Sequence, residues 1–318
     1  MRILVIGAGA VGSVLGGFLA KEGHAVTLLG REAHMRAIRA DGLAVHGFWG
    51  SHRVDSIEAS ADENVSRRGP WDWLFVCVKT HQTAAIRPLV AAAASGNTRV
   101  CIFQNGVEQI ERIGDAVAPD KLALARVIFG AEIVEPGKVR VTGSGGPVLI
   151  GSSAATATPP WIETLVDALA RSGVPAQATR SIRRVLWAKL TYNCALNGLA
   201  ALLGVPYGAL LDSPVTQEWM ERIVREVYAA AQAMPFELEP SAADAYIDKL
   251  FHELIPSTAA HHPSMFQDIR HGRPTEINAL NGFVVRSGIS RGVPTAANAL
   301  VLRLVREAER RAGINGAD

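Results

Sequence analysis

The residues Gly7-Ala8-Gly9-Ala10-Val11-Gly12 fit the pattern G-x-G-x-x-G, and the chemistry open to them is the binding of a dinucleotide pyrophosphate. Gly7 allows a tight turn, Gly9 lets the backbone approach the pyrophosphate, and Gly12 permits close helix–strand packing. The free N–H groups and positive dipole end of a following helix would then meet the anion. The plain alternative is that these glycines only pack a helix on a sheet. The apolar run before them and the helical pattern after them weigh against it.

The next apolar run ends in Leu28-Leu29-Gly30-Arg31-Glu32. NAD-binding folds usually carry Asp or Glu there, on the ribose 2′-hydroxyl. Arg31 stands at that place instead, and its guanidinium fork can pair with a 2′-phosphate. Glu32, one position on, could still reach a ribose hydroxyl. The charge argument favours NADP over NAD, against the reading of Arg31 as a solvated loop cation. Lys79 follows the run Trp73–Val78, and Gln104-Asn105-Gly106 follows Arg99–Phe103. Ligands of open parallel sheets bind outside the carboxyl ends of the strands. Lys79 and Asn105 are therefore candidates to face the nicotinamide ribose or the substrate, although Asn-Gly is also an ordinary turn dipeptide.

In the second half, Lys189, Asn193 and Asn197 are spaced i, i+4, i+8. On a helix, at about 100° per residue, they fall within about 80°, one narrow stripe. Leu186, Leu190, Leu196 and Leu199 around them supply apolar surface enough to bury the helix. A lysine and two amides in line on such a helix are costly to bury without partners. The spacing predicts a polar cleft at a domain interface rather than a solvated face. Ser264 and Asp268 are again i, i+4, and Glu276 falls where a helix capped by Thr275 would begin. Singly, Glu276 reads as a carboxylate favoured by a helix dipole and Ser264 as a local backbone partner. Their combination is what points to a site.

These residues need elements to position them. Short apolar runs at Arg2–Ile6, Ala25–Leu29, Trp73–Val78, Arg99–Phe103 and Leu122–Phe129 read as strands buried on both faces. Val139–Val141 and Val148–Ile150 read as shorter strands. Helical patterns lie between, as at Ala10–Lys21, so the first half reads as an α/β Rossmann-type, doubly wound parallel sheet with right-handed crossovers. The Ser/Pro-rich stretch Ser152–Pro160 looks like a linker. A helix at Trp161–Arg171 and a strand at Val174–Ala178 follow it, so the boundary falls near Arg180 instead. Residues 1–180 form the cofactor domain and 181–318 an all-α domain. Its helices start at Asp212-Ser213-Pro214, Ser241, Thr275 (ending at Gly288) and Thr295.

Composition limits the function classes. Apolar residues make up 48% of the 318 and charged residues 19%, enough for two buried cores. Lys and Arg number 32 against 30 acidic residues, interspersed, which argues against a nucleic-acid partner. Cys77, Cys101 and Cys194 are widely spaced, with no C-x-x-C, which fits a reducing cytoplasm. Ile3 to Ala20 is uncharged over 18 residues, but five glycines interrupt it and a second strand follows, so neither a signal peptide nor a membrane span is expected. The nine histidines form no H-E-x-x-H, and no metal is expected. The oligomeric state, a homodimer included, is not legible in the sequence.

Taken in order, several motifs resemble ketopantoate reductase (2-dehydropantoate 2-reductase): Gly7–Gly12, Val78-Lys79, Gln104-Asn105-Gly106, Trp187-x-Lys189-Leu190-x-x-Asn193-x-x-x-Asn197, Ser264-Met265-x-Gln267-Asp268 and Arg273-x-Thr275-Glu276-Ile277-x-x-x-Asn281-Gly282. The resemblance spans nearly the whole chain. It implies reduction of 2-dehydropantoate to pantoate with NADPH, in coenzyme A synthesis, at an active site between a Rossmann and a helical domain. It implies Lys189 as general acid, Glu276 as a carboxylate of the substrate site, Asn193 and Asn197 as substrate holders and Ser264 as a partner of the substrate carboxylate. Lys79 and Asn105 would line the cofactor–substrate junction. The residue types suit this chemistry, because hydride addition to a ketone develops an alkoxide that a positioned ammonium can stabilise and protonate. Two other readings stand beside it. One is a related reductase of another small 2-oxo or 3-hydroxy acid. The other is a non-catalytic NADP(H) sensor, which would need none of Lys189, Asn193, Asn197 and Glu276. The resemblance gives no clear part to Asp268, His261 or His262.

Overall fold

The computed structural model describes residues 1–154, 157–232, 234 and 236–314. Part of the Ser/Pro stretch, residues 155–156, thus lies outside the described residues. The chain divides into two compact units, Met1–Gln104 with Gln109–Ile182, and Asn105–Glu108 with Arg183–Asp318.

The first unit runs β1 (Arg2–Ile6), α1 (Ala10–Lys21), β2 (Ala25–Leu29), α2 (Glu32–Asp41), β3 (Leu43–Gly47), β4 (His52–Val54), β5 (Glu58–Ser60), β6 (Trp73–Val76), α3 (Thr83–Ala93), β7 (Arg99–Ile102), α4 (Gln109–Ile113), β8 (Leu122–Arg126), β9 (Phe129–Glu135), β10 (Lys138–Ser144), β11 (Val148–Ser152), α5 (Pro160–Ser172) and β12 (Ala176–Ala178). The large sheet is eight-stranded, in the order β12-β11-β8-β7-β6-β1-β2-β5. β1 is parallel to both neighbours, with Val5 opposite Leu28 on β2 and Phe75 on β6. The chain therefore steps from β1 to β2 on one side and later returns to β6 on the other, which makes the end of β1 a topological switch point. β11 pairs antiparallel with β8 and parallel with β12, so this edge runs against the rest of the sheet. Ile3 to Ile6 are buried on both faces, which is why the run is continuously apolar.

A second, four-stranded sheet, β4-β3-β10-β9, was not foreseen. Val139 and Val141 belong to it rather than to the parallel sheet. They point inward, while Lys138 and Arg140 point out, a half-buried alternation. Leu122–Phe129, which reads as one strand in the sequence, divides. β8 ends at Arg126, the Ile128 carbonyl is taken by Gly145 N–H, and β9 leaves for the other sheet. α1 lies against both sheets, and two adjacent glycines make room. A Cβ on Gly16 would meet Leu28 at 2.7 Å, and one on Gly17 would meet Leu43 at 2.8 Å.

The second unit contains α6 (Ile182–Leu203), α7 (Pro214–Ala231), α8 (Ala243–Lys249), α9 (Ile255–Ser257), α10 (Ser264–Arg270), α11 (Asn281–Arg291) and α12 (Ala296–Arg311) around its own apolar core. A Cβ on Gly198 of α6 would lie 2.3 Å from Val301 of α12, so that glycine sets how closely these helices pack. Thr295 occupies the N-cap position of α12, but its side chain does not cap. The Glu226 carboxylate does so from α7, accepting Ala297 N–H at 2.8 Å and Asn298 N–H at 2.9 Å. The helix expected from Thr275 to Gly288 instead starts at Asn281 and closes on the left-handed Gly292. The Thr275 hydroxyl accepts Ile277 N–H, two residues on, and so makes a turn in place of a helix cap. The α8 start also shifts by one residue, with Ala242 rather than Ser241 at the cap.

His34 is buried, and desolvation holds its pKa below the ordinary histidine value. Its Nδ1 accepts Gly137 N–H at 2.9 Å, which requires that nitrogen to be unprotonated. Below the ordinary value the unfolded chain takes up a proton that the fold refuses, so stability is complete above about pH 6.5 and is lost as pH falls. Thermal denaturation between about pH 7 and pH 5 should show a falling Tm, with a shallower fall in His34→Gln. His24, shifted down by burial and by the Met1 ammonium beside it, should retain part of the slope. An unchanged slope in His34→Gln would remove His34 from the acid response.

Candidate active site

The chain leaves β1 in a turn that only glycine fits. Gly7 has φ +94°, and a Cβ there would lie 2.4 Å from Val78 N. Gly7 and Ala8 donate to the Leu29 carbonyl at 3.0 and 2.9 Å, which ties the loop to the end of β2. A Cβ on Gly12 would be 2.5 Å from the Gly7 carbonyl oxygen. Gly9 is different: a Cβ there would meet nothing closer than the Gly7 carbonyl oxygen at 4.0 Å. The first helical hydrogen bond of α1 is Ser13 N–H to Gly9 C=O, so the N–H groups of Ala10, Val11 and Gly12 precede it. Gly9, Ala10 and Val11 are half-buried. An open cradle with donors on its floor fits a pyrophosphate, and a side chain at position 9 would fill it.

Arg31 holds the N-cap position of α2 and is exposed, while its carbonyl accepts the N–H groups of His34 and Met35. Glu32, the alternative ribose partner, is bonded to Arg39 at 2.7 Å. Beyond β6, a buried network fixes the loop that carries Lys79. Gln104 donates to the Val78 carbonyl and to the Thr83 hydroxyl, each at 2.9 Å, and the Thr83 hydroxyl donates to the Thr80 carbonyl at 2.8 Å. The sequence motif Gln104-Asn105-Gly106 gives Gln104 no role of its own, because nothing in the sequence joins it to residues 78–83.

In the second unit, Lys189, Asn105 and Glu276 are brought together. Lys189 Nζ donates to Asn105 Oδ1 at 2.7 Å, and Asn105 Nδ2 donates to Glu276 Oε2 at 2.7 Å. An amide can accept from a cation on one side and donate to a carboxylate on the other, and Asn105 does both. Glu276 sits on the turn before α11, not in the first turn of a helix. That turn is held at both ends. Thr275 N–H donates to buried Glu309 at 2.7 Å, and Asn281 Nδ2 donates to the Cys194 carbonyl at 3.2 Å and to Asn298 at 3.0 Å.

Asn193 and Asn197 are 8% and 6% exposed on the same helix as Lys189. Asn197 accepts from the Tyr207 hydroxyl at 2.5 Å. Burial pushes the Tyr207 phenol up, so it stays a donor. Ser264 is exposed at the start of α10. Asp268, on the same short helix, is buried and pairs with Arg273 at 3.2 Å. His262 stacks on Phe266, and His261 packs on Tyr207.

Switch-point loop and doubly wound sheet together define the class: a dinucleotide-binding protein of Rossmann type. The family model for "Ketopantoate reductase PanE/ApbA" matches residues 3–155, and the model for its C-terminal domain matches 181–309. A 2-dehydropantoate 2-reductase of Aquifex aeolicus is 32% identical over 311 residues, which are 97% of either chain. A PanE/ApbA family ketopantoate reductase from Ralstonia eutropha superposes with a TM-score of 0.86 at 32% identity, over 98% of this chain and 100% of that one. A D-mandelate dehydrogenase solved with NADH and anilino(oxo)acetate superposes at 0.90 with 25% identity, over 99% and 100%. The chain belongs to the ketopantoate reductase family.

Two glycines of one loop should respond in opposite ways. Gly9→Ala should leave Tm near that of the parent yet weaken NADPH binding at least about tenfold, because the methyl occupies ligand space. Gly12→Ala should lower Tm, since its methyl meets backbone. Fluorescence titration beside thermal denaturation checks both; unimpaired binding by Gly9→Ala would show that no pyrophosphate lies there.

Proposed function

We propose that the protein reduces 2-dehydropantoate to pantoate with NADPH, with residues 1–180 holding the cofactor and 181–318 carrying the main substrate groups. The observation that supports this reading most directly is the Lys189–Asn105–Glu276 series, since it orients the Lys189 amine on a helix that is otherwise largely apolar. When bound, the nicotinamide supplies a hydride. As the C2 carbonyl carbon is reduced, its oxygen gains negative charge, and Lys189 Nζ–H donates the proton that completes the hydroxyl. Asn105 holds the ammonium in place, and Glu276 holds Asn105. Asn193 and Asn197 bind substrate hydroxyl and carbonyl groups. Ser264 binds the substrate carboxylate, Lys79 contacts the cofactor, and Asn105 contacts the substrate.

The preference for NADPH rests on Arg31 at the end of β2 and on the engagement of Glu32 with Arg39. We place the reaction in the cytoplasm on the cysteine usage, three free thiols with no C-x-x-C, which suits a reducing compartment.

The decisive measurement follows NADPH oxidation by absorbance across a panel of 2-oxo acids that includes ketopantoate and the aromatic phenylglyoxylate. Ketopantoate should give the highest kcat/KM; a faster alternative acid would replace it as substrate. Lys189→Ala should keep its Tm and lose at least about 100-fold in kcat, the scale of a general acid. Near-normal turnover would take Lys189 out of the mechanism. Arg31→Ala should raise KM for NADPH about tenfold, the scale of a lost charge-assisted hydrogen bond, with little effect on NADH. Equal changes for both cofactors would separate Arg31 from the 2′-phosphate.

A further inference from the structure

A buried, directional chain of hydrogen bonds runs behind the glycine loop. Gly137 N–H, in the β9–β10 turn, donates to His34 Nδ1 at 2.9 Å. That fixes the proton on Nε2, which lies 3.0 Å from the Ser13 hydroxyl and donates to it. The Ser13 hydroxyl then donates to the Ala8 carbonyl at 3.4 Å. Ser13 is 0% exposed, Ala8 4% and His34 5%. His34 and Ser13 each accept once and donate once in the series, and water has no access to replace a missing member. The chain therefore acts on the orientation of the Ala8 peptide, in the middle of the loop whose N–H groups form the cradle at Gly9.

The same histidine reaches the other side of the dinucleotide site. His34 N–H donates to the Arg31 carbonyl at 3.1 Å, so His34 stands in the first turn of the helix that begins at Arg31. Gly30, just before, lies close to the loop: a Cβ would stand 3.0 Å from the Met35 methyl and 3.2 Å from both the Ala8 Cβ and the Ala8 carbonyl oxygen, so its neighbours would have to give. Loop and helix start are thus in contact in front and joined through His34 and Ser13 behind.

We propose that His34, acting through Ser13, is a positioning residue for the dinucleotide loop and locks it to the start of α2; this rests on the reading of the loop as the NADPH site. Two substitutions divide its contacts. In His34→Asn the amide oxygen can replace Nδ1 as acceptor for Gly137, but nothing reaches Ser13. In His34→Gln the amide nitrogen can replace Nε2 as donor to Ser13. Ser13→Ala removes the same link from the other end.

The test measures NADPH Kd by fluorescence, kcat at saturating NADPH, and amide hydrogen exchange of residues 7–13 in the unliganded protein. His34→Asn and Ser13→Ala should weaken NADPH binding about five- to tenfold, the scale of one lost buried hydrogen bond, and speed exchange in the loop. Their kcat should stay within about twofold, and His34→Gln should bind within about twofold of the parent, because the Ser13 link is restored. Parent-like Kd and exchange in Ser13→Ala would overturn the proposal, and so would His34→Gln as weak as His34→Asn. If the parent itself bound no dinucleotide, the functional reading would fall, while loop exchange would still decide whether the His34–Ser13 link orders the loop.

Discussion

An ammonium on a mostly apolar helix is the constraint around which the second unit is built. α6 carries Leu190, Cys194, Leu196 and Ala200 in the core, and Lys189 on the same helix. A half-buried charge in such surroundings is stabilised by oriented partners. Asn105 is that partner, and the reason is chemical. A carboxylate there could accept from Lys189 but would repel Glu276. A hydroxyl is too short to reach both. The amide satisfies a cation and an anion at once, and its two partners dictate which way it points.

Holding three side chains from three distant segments requires their backbones to be fixed as well. Residues 105–108 belong to the helical unit although the chain on either side of them does not. Glu108 there pairs with Arg286 of α11 at 2.7 Å. The turn that carries Glu276 has only a few backbone hydrogen bonds of its own, Ala279 N–H and Leu280 N–H to the Glu276 carbonyl among them, and buried polar side chains anchor its ends. Glu309 anchors Thr275, while Glu226 holds Asn298, which in turn receives Asn281. Glu226 does double duty, since it also caps α12. Networks of this kind, buried and largely satisfied, define one arrangement better than apolar packing does.

How much of this was legible depended on where each residue's partners lie. β1, β2, β6 and β7 are buried over nearly their whole length, so their sequences are largely apolar runs that could be seen directly. The strands of the small sheet are short or alternate, as at Lys138–Ser144, and a three-residue strand such as His52–Val54 carries too little pattern. The Lys189, Asn193 and Asn197 stripe was legible because a helix converts spacing into direction. That Asn105 joins Lys189 to Glu276 was not, because the contacts span 84 and 171 residues. The helix expected at Thr275 failed for a related reason. Local residues offered a cap, but a carboxylate from α12 claimed the Thr275 N–H and held that stretch as a turn.

Exposure separates two kinds of residue in the dinucleotide unit. Gly9, Ala10 and Val11 are half-buried and Arg31 is exposed, as the proposed contacts of a dinucleotide must be. Ser13, Thr83 and Gln104 are buried, and each bonds to a backbone group of a loop that leads to the site, while buried His34 joins Ser13 to the β9–β10 turn. Neither set could do the other's work. A loop held only by exposed contacts would exchange them for water and sample many geometries, so cofactor binding would carry the cost of ordering it. A buried loop could not be reached. Placing the contact groups outside and their hydrogen-bonded supports inside lets the loop be ordered before anything binds, and the glycines mark the boundary. Gly7 and Gly12 lack side chains because the fold fills that space, and Gly9 lacks one because the fold leaves it open.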